Sequence, residues 1–276
     1  MVLLTVAGAI ILLGTLVPPV ERRAADEAGL PTGELTPTAP VGAAVPTATP
    51  TQAAPTAPAT PTQAASTAPA AAPPVLRLTG SVPSVGPATF AYGASRGEVL
   101  GRAGLLRRYR VAVETGAGED IEEFGAAVDL ALGDPASWIG SGQLRFQRVP
   151  DRVGHDFTIY LATAGTAQRM CVAGGVNIRI DGRPYTSCRA TGKVIINLDR
   201  WRLSVDHFVA AKVPLDVYRI YVVNHEVGHE LGHRHERCPG AGRQAPVMMQ
   251  QTLFLRGCVA NPWPYLRGRR YAGPAL

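Results

Sequence analysis

One stretch of twelve residues constrains this chain more than any other: His225-Glu226-Val227-Gly228-His229-Glu230-Leu231-Gly232-His233-Arg234-His235-Glu236. In an α-helix His225 and His229 stand one turn apart, so both imidazoles share a face and can reach one point. Gly232 accepts positive φ, so it can end such a helix and swing the chain back. In a helix interior it would cost about 1 kcal/mol relative to alanine. A turn there can bring His235, three residues on, towards the same point. The chain has six histidines and four fall within residues 225–235, a concentration that a solvated polar helix does not call for.

These residue types suit a divalent metal. Zn2+ takes imidazole nitrogen at about 2.0–2.1 Å in a tetrahedral shell. His225, His229 and His235 would supply three positions and leave the fourth for water. Glu226, beside the first histidine, is placed to take a proton from that water. His233 competes with His235, because it lies four residues beyond His229 and would stay on the same face of an unbroken helix. We favour His235, since Gly232 is expected to break that helix.

The spacing H-E-x-x-H-x-x-G-x-x-H resembles that of the metzincin clan of zinc metallopeptidases. The resemblance implies zinc ligands at His225, His229 and His235 and a general base at Glu226. Metzincins also hold a methionine in a tight turn beneath the metal. Here Pro246-Val247-Met248-Met249-Gln250 follows at a suitable distance. Either methionine fits that place, with Met248 the favoured one; ordinary core packing is the alternative for both. Some members carry a tyrosine two residues further on. Gln250 and Gln251 stand there instead, and no motif supports Tyr265 in that role. Glu236 follows the third histidine as in the astacin branch, which implies a structural anchor and not a ligand. The domain as a whole is similar to an uncharacterised family of exported actinomycete proteins. Residues 194–201 (VIINLDRW), 221–229 (YVVNHEVGH) and 261–265 (NPWPY) carry that similarity over roughly residues 75–276, and it implies no activity.

Outside this region the chain changes character. Residues 31–74 are almost entirely Ala, Pro and Thr, without aromatics and with Glu34 as the one charge. Such a segment cannot bury enough apolar surface to offset chain entropy, and it reads as an extended stalk. At roughly 3.1 Å per residue it could span about 130 Å. Residues 2–20 are apolar or small, with no charge before Glu21. Residues 1–20 therefore read as a signal peptide or membrane anchor, residues 21–74 as a disordered stalk, and residues 75–276 as one folded domain. Arg22 and Arg23 follow the apolar stretch and none precedes it, which taken alone would put the stalk in the cytoplasm. Stalk composition and cysteine usage oppose that, and a basic segment upstream of the apolar stretch is expected.

The four cysteines are Cys171, Cys188, Cys238 and Cys258. An even number in an exported chain suggests two disulfides. Of three connectivities, Cys171–Cys188 with Cys238–Cys258 closes the shortest loops. The second pair would brace the turn that carries Met248. A second zinc site is the rival reading, but no C-x-x-C spacing supports it. Net charge is +6, with arginines at 267, 269 and 270, which is mild support for contact with anionic surface polymers beside the simpler reading of a solvated tail. No nucleic-acid-binding module is legible.

The expected fold class is α+β: a metzincin-like domain with a small twisted sheet, an active-site helix and an irregular C-terminal subdomain over residues 236–276. Alternation of Tyr109, Val111 and Val113 predicts a strand over 107–114. Ile121, Phe124, Val128 and Leu132 predict a helix over 120–132. Strands are expected at 144–149, 156–162 and 193–198, with Asp199 as a strand-end turn former. A helix capped by Asp216 should run into the histidine motif, presenting Asn224 as a helix-face residue and Glu230 as a solvated charge. Residues 75–106 receive no assignment. The expected activity is that of an extracytoplasmic, membrane-anchored or secreted zinc metalloendopeptidase. Its partners would be peptide or protein substrates, including cell-wall-associated ones, with no nucleic acid and with membrane only through an uncleaved N-terminal segment. The alternatives are a cell-wall amidase with the same zinc chemistry and a non-catalytic surface module stabilised by zinc.

Overall fold

The computed structural model describes residues 72–276. The expected N-terminal segment (1–20) and nearly all of the expected stalk (21–74) lie outside the described residues. No described helix is long and apolar enough to cross a membrane.

The first half of the domain runs β1 (Phe90–Tyr92), β2 (Val99–Leu100), β3 (Leu105–Glu114), α1 (Ile121–Gly133), β4 (Leu144–Arg148), β5 (Phe157–Ala162) and α2 (Ala164–Ala173). A small hairpin of β6 (Arg179–Ile180) and β7 (Arg183–Pro184) leads to β8 (Cys188–Ala190) and β9 (Lys193–Asn197). Three helices follow, α3 (Leu198–Leu203), α4 (Asp206–Ala210) and α5 (Leu215–Glu230), and then a last hairpin of β10 (Tyr265–Leu266) and β11 (Arg269–Arg270).

Seven strands form one mixed sheet in the order β2-β4-β3-β5-β9-β8, with β1 also pairing with β3. The central strands β4, β3, β5 and β9 are parallel, whereas β8 runs antiparallel at the edge. Parallel strands need crossovers, and the helices supply them. On one face Tyr109, Val111 and Val113 pack with Phe124 and Val128 of α1 and with Val222, Val223 and Val227 of α5. On the other face Ala112, Tyr160 and Ile195 pack with Ala167 and Cys171 of α2. The mixed α/β architecture agrees with the expected class at that level. Helix α2 was not foreseen: β5 is buried along its whole length because helices cover both faces, and residues 164–173 are too poor in large apolar side chains to show a period.

Two local expectations need revision. The expected cap of α5 is not Asp216, which sits in the first turn; Pro214 occupies the N-cap position and supplies a fixed φ but no side-chain acceptor. Asp120 does cap α1, accepting the N–H groups of Glu122 at 2.8 Å and Glu123 at 2.9 Å. Asp199 lies in the first turn of α3, where the side chain of Asn197 is the cap and accepts its N–H at 3.0 Å.

Glu114, at the end of β3, is almost fully buried. Its carboxylate accepts the N–H of Ala88 (2.8 Å), the N–H of Thr163 (2.8 Å) and the hydroxyl of Thr166 (2.6 Å). It thereby anchors the start of α2, whose cap residue Thr163 makes no side-chain bond of its own, and it ties down the segment before β1. An anion at a helix N-terminus is also favoured by the helix dipole.

Candidate metal centre

Helix α5 stops as the glycine predicts. Gly232 has φ +94°. Its N–H bonds to the carbonyl of His229 at 3.1 Å, and the N–H of His233 bonds to the carbonyl of Gly228 at 2.9 Å. This pair of bonds is the Schellman arrangement, which needs a left-handed residue at its centre. The chain reverses there and brings residue 235 back beside the last turn of the helix.

His225, His229 and His235 each present one ring nitrogen, and these atoms lie within 4.8 Å of one another. The Nε2 atoms of His229 and His235 are 3.0 Å apart. In a tetrahedral zinc shell two nitrogens would stand about 3.4 Å apart, from the bond lengths involved. Nδ1 of His225 bonds to the carbonyl of Val247 (2.8 Å) and Nδ1 of His229 to that of His233 (2.9 Å). A carbonyl can only accept, so both rings carry hydrogen on Nδ1 and keep the Nε2 lone pair free. Burial, then the neighbouring His229, pushes His225 well below the usual imidazole range and His235 down to about 4; burial also lowers His229. Neutral imidazoles with convergent lone pairs, two of them with anchored Nδ1–H groups, suit a divalent metal. His233 is not in this cluster; its ring stacks on Trp138 with centroids 4.4 Å apart.

Beneath the helix lies the turn 246–249, closed by the N–H of Met249 on the carbonyl of Pro246 at 2.9 Å. Met248 is fully buried against Gly228, where a Cβ would fall 2.5 Å from its sulfur. The carbonyl of Val247, one residue earlier, holds His225. Two amides lock the turn. Gln251 Nε2 donates to the carbonyls of Pro246 (3.1 Å) and Asn261 (2.8 Å), and Asn261 Nδ2 donates to that of Ala245 (2.9 Å). Disulfide Cys238–Cys258 closes this irregular region, and Cys171–Cys188 ties α2 to β8.

The histidine cluster forms the floor of a cleft of about 450 Å³. Thr186, Ser187 and Arg189 line the β8 side, with Gln250, Thr252 and Leu253 among the residues lining the rest. Glu226 is buried at the floor, accepts no hydrogen bond from any described residue, and is pushed up to about 8 by that burial. Tyr265 belongs to the β10–β11 hairpin and does not line the cleft.

Two polar residues, Glu230 and Asn224, behave differently from what the sequence suggests, and a third, Glu236, is an anchor as expected. Glu230 is not solvated: its side chain is 6% exposed and accepts Arg189 Nε at 2.6 Å and the N–H of Gly192 at 3.3 Å. The ion pair locks the edge strand to the helix. Asn224 is a fully buried hub whose Oδ1 accepts Ser137 Oγ (2.7 Å) and whose Nδ2 donates to the carbonyls of Ala131 (3.3 Å) and Pro262 (3.2 Å). Glu236 holds the C-terminal segment through Arg270 (2.8 Å) and the N–H of Gly273 (3.1 Å). Trp138 and the supporting roles of Gln251 and Asn261 were not legible in the sequence. Asn261 lay within a segment of family resemblance, which was the one available signal; Trp138 sits about ninety residues before the histidines and carried none.

The sequence profile of the family described as "Protein of unknown function (DUF3152)" matches residues 77–266, well over half of the chain. No curated protein and no solved structure matches it.

Proposed function

The chain belongs to the DUF3152 family of proteins of unknown function, and we propose that its folded domain is a zinc-dependent hydrolase, an extracytoplasmic metalloendopeptidase of metzincin-like design. The observation that carries this reading is the convergence of three neutral imidazoles on one point beside a buried, unpartnered carboxyl group.

His225, His229 and His235 would hold the ion. When bound, zinc supplies Lewis acidity towards water and towards a scissile carbonyl. Glu226 would take a proton from the attacking water and return it to the departing amine nitrogen. A cation at the triad favours its ionised form, opposing the effect of burial.

A peptide substrate is favoured by the sheet edge. Strand β8 pairs only with β9 among the described residues, and it runs along the cleft wall. Its open side can bind an extended chain by strand addition, with backbone hydrogen bonds supplying affinity. Two disulfides are consistent with an oxidising compartment outside the cytoplasm. The test is to purify the exported chain, measure its zinc content, and expose it to a mixed peptide library and to cell-wall fragments. Zinc with peptide cleavage supports an endopeptidase. Cleavage of cell-wall fragments alone supports an amidase. Zinc without any cleavage supports a binding module, and absence of zinc defeats the whole reading.

A further inference from the structure

His233 lost the competition for the metal to His235, yet its geometry gives it another task. Its backbone carbonyl accepts Nδ1–H of His229 at 2.9 Å. Its ring, on an otherwise exposed residue, lies flat on Trp138 at 4.4 Å with an interplanar angle of 16°. Trp138 is itself nearly fully buried. Its indole N–H donates to the carbonyl of Asn224 at 2.9 Å, and its ring reaches the position a Cβ of Gly228 would take, at 2.6 Å. Arg270, paired with Glu236, stands 5.2 Å from the centre of the same indole ring.

These contacts describe a rigid platform under a residue that follows a helix break. Past the Schellman turn the next backbone bonds are at His235 and Glu236, so His233 and Arg234 depend on the two bonds of the turn itself. Here the stack supplies the missing constraint. We propose that His233 and Trp138 are positioning residues: the stack of the two rings holds the His233 carbonyl where it fixes the tautomer and the orientation of His229. The chemistry is that of an outer-shell acceptor for a ligand histidine, a role that generally alters metal affinity by 10–100-fold when lost. The aromatic pair is the means by which a backbone carbonyl, which no substitution removes, becomes dependent on a side chain.

This inference rests on the zinc reading of the triad, but it can be tested apart from it. His233→Ala removes the ring and keeps the carbonyl. His233→Phe keeps a ring that can stack and removes every possible ligand nitrogen. With the full chain, zinc affinity is measured by competition with a chromophoric chelator. His233→Ala is expected to bind zinc about 10–100-fold more weakly, and His233→Phe to stay within roughly threefold of wild type, since the carbonyl stays held. Trp138→Leu should weaken binding in the same direction. In the metal-free protein, nitrogen NMR of His229 should show a single Nδ1–H tautomer in wild type and His233→Phe, and a mixture in His233→Ala. If His233→Phe binds as weakly as His233→Ala, His233 is itself a ligand and the proposal fails. If neither variant changes affinity or tautomer, the stack positions nothing. If wild type binds no zinc, the zinc reading fails, and the tautomer comparison still decides whether the stack orients His229.

Discussion

The sulfur of Met248 occupies the space in which a side chain at Gly228 would begin: a Cβ there would fall 2.5 Å from the sulfur and 2.6 Å from the Trp138 ring. Gly228 sits between the two histidines of α5, so the helix can rest on the methionine turn only because residue 228 has no side chain. Gly228→Ala should therefore destabilise the domain by about 1–3 kcal/mol, the usual cost of overpacking, although alanine is the better helix former. Met248→Ala leaves a cavity at the same place and should cost about 2–5 kcal/mol. Chemical denaturation of the two variants checks both values. An alanine at 228 that raises stability would show that the helix and the turn are not in contact.

Metal stoichiometry tests the proposed ligands. His225→Ala, His229→Ala and His235→Ala should each lose the bound zinc, as removal of one of three protein ligands requires. Retention of full stoichiometry by His235→Ala would remove that residue from the site.

Glu226→Gln preserves size and removes the proposed base. The variant should fold and hold zinc as wild type does, while hydrolysis falls by the roughly 10²–10⁴-fold attributed to general-base catalysis. The burial that pushes Glu226 up to about 8 also means the amide costs little to bury. Unchanged turnover would exclude Glu226 from proton transfer.

Glu114 links pH to stability. Burial alone would raise its pKa, but the hydroxyl of Thr166 and the N–H groups of Thr163 and Ala88 outweigh burial and hold the carboxyl below the usual range. Because the folded value lies below the unfolded one of about 4.3, the contribution is complete above the unfolded value and is lost as pH falls through the folded value. Glu114→Gln should cost about 1–3 kcal/mol at neutral pH and have progressively less effect in acid. Denaturant midpoints at neutral and acidic pH measure this. A penalty that persists undiminished in acid would mean that the carboxylate charge is not what holds α2.

Disulfide Cys238–Cys258 closes a loop of sequence separation 20 around the methionine turn. Chain-entropy arguments assign such a loop roughly 3 kcal/mol. The double variant Cys238→Ala with Cys258→Ala should lose about that much stability. It should also bind zinc less tightly, because Val247 and Met248 lie within the loop. Mass mapping under non-reducing conditions should recover Cys171 with Cys188 and Cys238 with Cys258.

The convergence of His225, His229 and His235 was legible because its geometry is local. The 225/229 spacing is a property of any helix, and the reversal at Gly232 follows from one glycine and two backbone bonds, so His235 could be chosen over His233 without knowing what surrounds them. The strands at 105–114, 144–148, 157–162 and 193–197 and the helix at 121–133 were likewise readable within a few residues, each carrying its own apolar pattern. Asp216 was misjudged because an acidic residue in a first turn and one at a cap look alike in sequence.

What only the tertiary structure decided has long sequence separation or no pattern at all. Trp138 reaches His233 and Gly228 across about ninety residues, Glu230 finds Arg189 across forty-one, and Glu114 finds Thr166 across fifty-two. A buried carboxylate and a solvated one have the same letter; burial and partner distinguish them, and both are set when the sheet assembles. Helix α2 and the open edge of β8 likewise exist because of what packs on them or fails to, since covering both faces of β5 erases alternation and an edge is defined by the strand that is not beside it. The sequence by itself therefore determined which atoms can meet a metal, through the fixed geometry of one helix and one glycine. The packing of distant segments determined how firmly those atoms are held, because contacts between residues far apart in sequence leave no period for a linear reading to find.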